Sequence, residues 1–317
     1  MLKQKINRAF APVLRCILFT STLSALPISA ASAEANRAAP PHRATQAAIV
    51  PLPAAFSDGL VFVKVSINSG PAVWMDLDTG TTPSIVGPAY ARQAGLTLIA
   101  QGKATGGFGS EKIDTFKTST AMLSTGHESP RKVEFDSIEL TGMTDQKAQP
   151  LAGLLGYSFL ADKIVVIDYP NRKLFFREVP EATNSIEVPL TFFEGVPLVR
   201  VALDGHEVTA LIDTGGTYDL LVTPQALKQT GLEHYLENSK KVDTIGHGGE
   251  QAATIGKAPT LTLGSMTIHD HTAVYTSLGT TKIPANVSLG KDFLKHYRVT
   301  LNYIAGSARF EPEKLGK

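Results

Sequence analysis

Asp78-Thr79-Gly80 and Asp213-Thr214-Gly215 are the two tripeptides of this chain whose residue types, taken together, point to chemistry. One aspartate on a turn is an ordinary loop residue. Two aspartates that meet are different, because carboxylates within a few ångström of each other cannot both ionise easily, and one pKa rises strongly. Such a pair holds one proton. Its ionised member takes a proton from a water lodged between the two, and its protonated member hydrogen-bonds the carbonyl oxygen of a substrate. Water attacks the carbonyl carbon, a tetrahedral diol forms, and proton transfer to nitrogen releases an amine. The scheme calls for no cofactor, and the titration belongs to the pair and not to either residue. Gly80 and Gly215 lack a Cβ, so the backbone turns sharply behind each carboxylate and an N–H can donate to it.

The elements that must bring these turns together are visible as an internal repeat. Gly59 to Asn68 and Gly195 to Asp204 are apolar, β-branched and partly alternating, and read as strands. Each ends in a turn, Asn68-Ser69-Gly70 or Asp204-Gly205-His206, and a second strand then leads into the Asp-Thr-Gly. Pro88 to Leu96 and Pro224 to Leu232 read as short helices opened by Pro and closed by Gly. Gly106-Gly107-Phe108-Gly109 and Gly246-His247-Gly248-Gly249 follow. Then come Leu155-Gly156 and Leu289-Gly290, each four residues ahead of a leucine in a shared Phe-Leu. Terminal hairpins around Asp168 to Phe176 and Asn302 to Phe310 close the copies. The aspartates stand 135 positions apart (213 − 78) and the glycines of the Leu-Gly pairs 134 (290 − 156). A lone Asp-Thr-Gly arises by chance roughly once in several thousand positions; two in register with the other matched elements do not. Two copies are too few for a solenoid. The expectation is an all-β molecule with short helices, made of two barrel-like lobes related by a pseudo-twofold axis.

On these motifs the chain resembles the acid-protease superfamily, retropepsin-like and pepsin-like. Lobe size and Gly-rich flaps look more like retropepsins, which form their site by dimerisation; two lobes on one chain look more like pepsins. The resemblance implies Asp78 and Asp213 as catalytic residues, and hydroxyls of Thr79 and Thr214 that cross between lobes. It implies that the Thr81 hydroxyl donates to Asp78 and favours its ionised form, leaving Asp213, whose loop has Gly216 at that place, as the proton holder. It makes flaps of the Gly-rich segments, with Gly107, Phe108, Gly109, His247 and Gly248 against substrate, although the flap tyrosine of pepsin-like members is missing. Asp76 departs from the family, which has an apolar residue there, as Leu211 is in lobe two. On a strand it shares a face with Asp78. It reads as an acidic subsite that favours a basic substrate side chain and raises the pKa of the pair, or as a solvated rim carboxylate; the second is preferred, since unpaired buried charge is costly.

Composition is globular, with 43% apolar and 19% charged residues. A formal net charge of +1 argues against a broad nucleic-acid surface. The single cysteine, Cys16, excludes an intrachain disulfide and a Cys-based zinc site. Lys3, Lys5, Arg8 and Arg15, an apolar run to Ala30, and Ala31-Ser32-Ala33 read as a secretory signal over residues 1–33, so that the mature chain starts at Glu34. The run is short for a membrane span and Pro27 interrupts it; an uncleaved anchor is the alternative. Residues 34–48 read as a linker, 49–182 as the N-terminal lobe and 183–317 as the C-terminal lobe.

His269-Asp270-His271 places two imidazoles on one presumed strand face, and reads as solvated residues more than as a metal clip. Asn286-Val287-Ser288 is a sequon that matters only in a eukaryotic secretory route. The sequence therefore predicts a secreted or periplasmic, monomeric aspartic endopeptidase acting on extended peptide or protein substrates, with no cofactor, no nucleic-acid partner and no stable membrane span after signal cleavage. A silent peptide- or ligand-binding protein of the same fold, and lobes that pair between chains, are the alternatives.

Overall fold

The computed structural model describes residues 51–105, 112–126, 129–177, 185–246, 249–278 and 282–312. The two large sheets have ten strands each, one per copy of the repeat, and follow the same order. In the first, Leu60–Ile67 pairs with Val73–Leu77 in antiparallel register, Val63 opposite Met75. In the second, Val196–Leu203 pairs with His206–Ile212, Val199 opposite Ala210. The turns between them use left-handed residues, Asn68 and Ser69 in one and Asp204 and Gly205 in the other, as short polar side chains and glycine allow.

The Leu-Gly motif occupies the middle of each sheet. Gly153–Leu155 runs parallel to Val73–Leu77 and antiparallel to Ser84–Val86. Val287–Leu289 does the same between His206–Ile212 and Leu220–Val222. The strand that leaves each Asp loop is thus separated from the strand that enters it. The glycine that follows has little choice of side chain. A Cβ on Gly156 would meet the Thr81 carbonyl oxygen at 2.3 Å, and one on Gly290 the Tyr218 carbonyl oxygen at 2.2 Å. Helices Pro88–Gln93 and Pro224–Thr230 follow the expected punctuation, with Pro at the first turn and left-handed Gly95 or Gly231 beyond the end. Among the described residues no helix is long and apolar enough to cross a membrane.

The terminal hairpins do more than close each copy. Ile164–Asp168 pairs with Tyr297–Asn302, Ile164 opposite Asn302 and Asp168 opposite Arg298. Together with Lys173–Arg177, Ser307–Pro312 and Ile186–Pro189 they form a five-stranded sheet built from both copies. Its buried residues Val165, Ile167, Val299 and Leu301 join Val61, Val63 and Val65 of one lobe and Val199, Val201 and Leu203 of the other in one apolar cluster. The opposite faces of the lobe sheets carry separate clusters, one around Phe62, Ile85 and Leu154, the other around Leu198, Leu211 and Leu221. Strand alternation sorts these residues: odd positions of Leu60–Ile67 face the shared core and even positions near its start face the lobe's own cluster.

The lobes also grip one another at two pseudo-equivalent glycines. The Lys291 stem lies over Gly59, and its Nζ reaches Asp58 Oδ2 at 3.1 Å. The Tyr157 ring lies over Gly195, in the cluster it forms with Phe192 and Tyr303. Gly195 has φ +93°, and a Cβ there would come 2.3 Å from the Tyr157 ring. Gly205 has φ +86° with open space around it. Alanine at Gly205 should cost about 1 kcal/mol for the backbone conformation alone. Alanine at Gly195 adds overpacking against the ring, for a further loss of about 1–3 kcal/mol. Urea unfolding of the two variants checks this; equal losses would mean that Tyr157 yields freely.

Candidate active site

Each aspartate leaves its strand at a backbone hydrogen bond to the threaded Leu-Gly segment. Asp78 N–H donates to the Leu155 carbonyl and Asp213 N–H to the Leu289 carbonyl, both at 3.0 Å. The Asp-Thr-Gly turns then face one another. Gly80 N–H donates to Asp78 Oδ1 at 2.8 Å. A Cβ on Gly80 would lie 2.8 Å from Asp213 Oδ1, and one on Gly215 would lie 2.6 Å from Asp78 Cγ. Each carboxylate therefore sits across the glycine of the opposite loop, and only a residue without a side chain admits it. Both are buried, Asp78 1% and Asp213 0% exposed.

The threonines lock this arrangement. Thr79 Oγ1 donates to the Ile212 carbonyl at 2.6 Å and accepts from Thr214 N–H at 3.1 Å. Thr214 Oγ1 donates to the Leu77 carbonyl at 2.5 Å and accepts from Thr79 N–H at 3.0 Å. Each hydroxyl uses donor and acceptor capacity on the other lobe, which fixes the two loops in one relative position.

Burial pushes Asp78 well above its ordinary value of 3.8, and the charges of Asp213 and Asp76 push the same way. The N–H of Gly80 opposes them, and a hydrogen bond between the Asp78 and Asp213 carboxyl groups raises Asp78 further. The pair thus holds a proton under conditions where an ordinary carboxylate has lost it. Tyr169 and Tyr303, each just past the end of an equivalent strand of the shared sheet, lie close enough to feel it. Burial raises both phenols; Asp76 and Asp213 add to Tyr169, and Asp78 adds to Tyr303. Both phenols remain neutral across any physiological pH.

Asp76 is not the solvated rim residue preferred from sequence. It is 0% exposed, opposite Phe62 and Leu154 in the sheet, and its charge bears on Asp78. The alternation that puts Asp76 and Asp78 on one strand face points here into the lobe and not to its edge. Thr81 differs too. Its hydroxyl is buried and has no hydrogen-bond partner among the described residues, so the expected donation to Asp78 does not form. Lobe two supplies the donor instead, from a residue the sequence reading passed over. Tyr218 Oη lies 2.6 Å from Asp213 Oδ2 and 2.7 Å from Ser288 Oγ. The available signal was Gly216, which leaves room two residues ahead of a tyrosine: a Cβ on Gly216 would strike the Tyr218 ring at 2.6 Å.

Gly107, Phe108, Gly109, His247 and Gly248 lie outside the described residues, as do residues 1–33 and 34–48. The hairpins that carry the Gly-rich segments are formed, Leu98–Thr105 with Lys112–Thr118 and Lys240–Gly246 with Gly249–Lys257. His269 to His271 is a turn between strands and not a strand face. Asp270 there has φ +61°, and His271 is not simply solvated but bonds Asp219 through Nδ1 at 2.7 Å. Among the described residues no group of three or more His, Cys, Asp or Glu is arranged to hold a metal ion.

Two outcomes follow from this geometry. A carboxyl group whose pKa is raised on folding stabilises the folded state below its unfolded value and loses that advantage as pH rises. Asp78→Asn should therefore raise the melting temperature at pH 7, with a gain that shrinks as pH falls toward 4; a gain independent of pH would remove the electrostatic account. Thr214→Val keeps the shape but strands the Leu77 carbonyl and the Thr79 N–H, at a cost of about 2–4 kcal/mol in urea unfolding. A loss below about 0.5 kcal/mol, the scale of a neutral surface change, would mean that the crossed hydroxyls do not hold the lobes.

A family model described as aspartyl protease matches residues 63–159 and 199–293. A comparison with curated proteins returns no match. Each matched segment lies within one copy of the repeat and contains one of the facing aspartates. The chain belongs to the aspartyl protease family.

Proposed function

We propose that this protein is a secreted aspartic endopeptidase that hydrolyses peptide bonds with a water activated between Asp78 and Asp213. The observation that carries the reading is the pair itself: two buried carboxyl groups, each seated against the glycine of the opposite loop, in loops that the crossed threonines lock together. A buried pair of this kind opposes folding, and the chemistry proposed for it accounts for its presence.

The steps follow from one shared proton. The ionised carboxylate removes a proton from the water as its oxygen bonds the peptide carbonyl carbon. The protonated carboxyl group gives its hydrogen to the carbonyl oxygen, so the tetrahedral intermediate is a neutral diol. The amide nitrogen then takes a proton from the carboxyl that received one from water, the C–N bond breaks, and a hydroxyl of the diol returns its proton to the other carboxylate as an acid and an amine leave. The pair ends with one proton, as it began. An extended peptide lying between the lobes presents its carbonyl to the pair, and the hairpins of Leu98–Thr105 with Lys112–Thr118 and of Lys240–Gly246 with Gly249–Lys257 serve in this reading as the covering elements. The positively charged, then apolar, N-terminal segment supports export to the periplasm or outside the cell, with both lobes supplied by one chain.

Peptide-library cleavage across acid to neutral pH tests this. Asp78→Asn and Asp213→Asn should each lower kcat/KM by about a thousandfold or more while leaving the chain folded. Cleavage that survives either change would show that the site is wrong. No cleavage by folded wild-type protein at any pH would leave a peptide-binding protein.

A further inference from the structure

The two carboxylates of the pair are not equivalent in their surroundings. Asp78 receives Gly80 N–H on Oδ1, and the nearby Thr81 hydroxyl gives it nothing. Asp213 turns Oδ1 toward Gly80 of the other lobe and Oδ2 toward its own, where Tyr218 Oη is 2.6 Å away. The phenol has one proton to give. With that proton on Asp213, its oxygen accepts from Ser288 Oγ at 2.7 Å, and the chain of donors runs Ser288 to Tyr218 to Asp213. All three side chains are buried, where a hydrogen bond to an ionised carboxylate is about twice as strong as one to a neutral group.

The position of the ring is built in. Gly216 leaves the space that Tyr218 Cζ and Oη occupy, and Gly290 admits the other edge of the ring, where a Cβ would fall 2.6 Å from Cδ2. The backbone of Tyr218 is held as well, its carbonyl accepting from Asp292 N–H at 3.1 Å. Among the described residues lobe one has no equivalent. Where Ser288 stands opposite Leu211, Leu154 stands opposite Asp76.

We propose that Tyr218 is a positioning residue of the pair: braced by Ser288, its hydroxyl holds the outer oxygen of Asp213 and keeps the water-activating charge there, so that the shared proton sits on Asp78. This rests on the peptidase reading for its catalytic meaning, though the hydrogen bond itself does not. It reverses the assignment that Thr81 suggested from sequence. Burial and the charges of Asp213 and Asp76 raise Asp78, which fits a proton holder.

The other ionisable groups around Asp213 and Tyr218 are accounted for. Asp78 faces Asp213 from the opposite loop, and Asp76 lies behind it on the entering strand. Tyr169 feels Asp213 from the shared sheet and stays neutral. Asp219, next to Tyr218, is engaged by His271 and Thr272. Lys291 Nζ is engaged by Asp58 and Asp292, and Asp292 also by Lys295.

Tyr218→Phe keeps the ring and removes the donor. The acid limb of the kcat/KM profile reports ionisation of the base. It should move up by about one pH unit, the shift expected when one hydrogen bond to a charged group is lost. Ser288→Ala should move it the same way by less. In urea unfolding from pH 3 to 8, the deficit of Tyr218→Phe should grow with pH, and it should become small and flat in an Asp213→Asn background. A filler role alone would give a lower rate, an unmoved limb and a deficit equal at every pH, and that result overturns the proposal. Folded wild-type protein that cleaves no peptide at any pH would end the peptidase reading, and Asp213→Asn protein that still cleaves at the wild-type rate would end the reading of this pair as its site. The unfolding series would still decide whether Tyr218 bonds an ionised Asp213, because it needs no substrate.

Discussion

Everything in this molecule is arranged around holding two buried carboxyl groups against each other. Their repulsion and the loss of hydration both oppose it. The structure meets this cost with backbone geometry and neutral donors, since no basic side chain is among the groups that set the Asp78 ionisation. Glycines let each carboxylate cross into the opposite loop. Threonine hydroxyls tie each loop to the strand that enters the other. One retained proton removes most of the repulsion, and in the proposed hydrolysis the same proton goes to the substrate carbonyl. Stability and chemistry depend on one contact.

The frame that supplies this contact is symmetric, and the site inside it is not. Paired elements recur at a nearly constant offset: the strand–Asp–strand unit, the threaded Leu-Gly, the Pro-initiated helix, the hairpin of the shared sheet. Symmetry explains how two loops from distant parts of the chain meet head-on. A proton, however, must rest on one side at a time. The layer next to the pair breaks the symmetry by exchanging one polar residue. Lobe one has Asp76 beside Leu154; lobe two has Leu211 beside Ser288, with Tyr218 reaching over to Asp213. The first raises its aspartate and the second stabilises the charge on its own, so both departures push the proton toward Asp78.

Much of this was legible in the sequence. Strand alternation, the turn residues, Pro and Gly at the helix ends and the repeated Asp-Thr-Gly are local signals, each set by the conformational limits of a few adjacent residues. Repetition then supplied what local signals lack: two copies in register imply equivalent positions, and equivalent aspartates imply a meeting point. The fold class, the two facing loops and the crossed threonines follow from that, the last with help from family resemblance.

The tertiary structure alone decided which groups complete the site. Thr81 and Tyr218 stand three and five residues after their aspartates, and nothing in that spacing says which hydroxyl reaches a carboxylate. The outcome depends on Gly216 and Gly290 leaving room for a ring, and on Ser288, 70 positions away, bracing it. The burial of Asp76 likewise depends on Phe62 and Leu154 from neighbouring strands, and the shared sheet on hairpins far apart in the chain. Sequence records the preferences of neighbours along the chain. A carboxylate's partners and its exposure are set by neighbours in space, which only the packed lobes define.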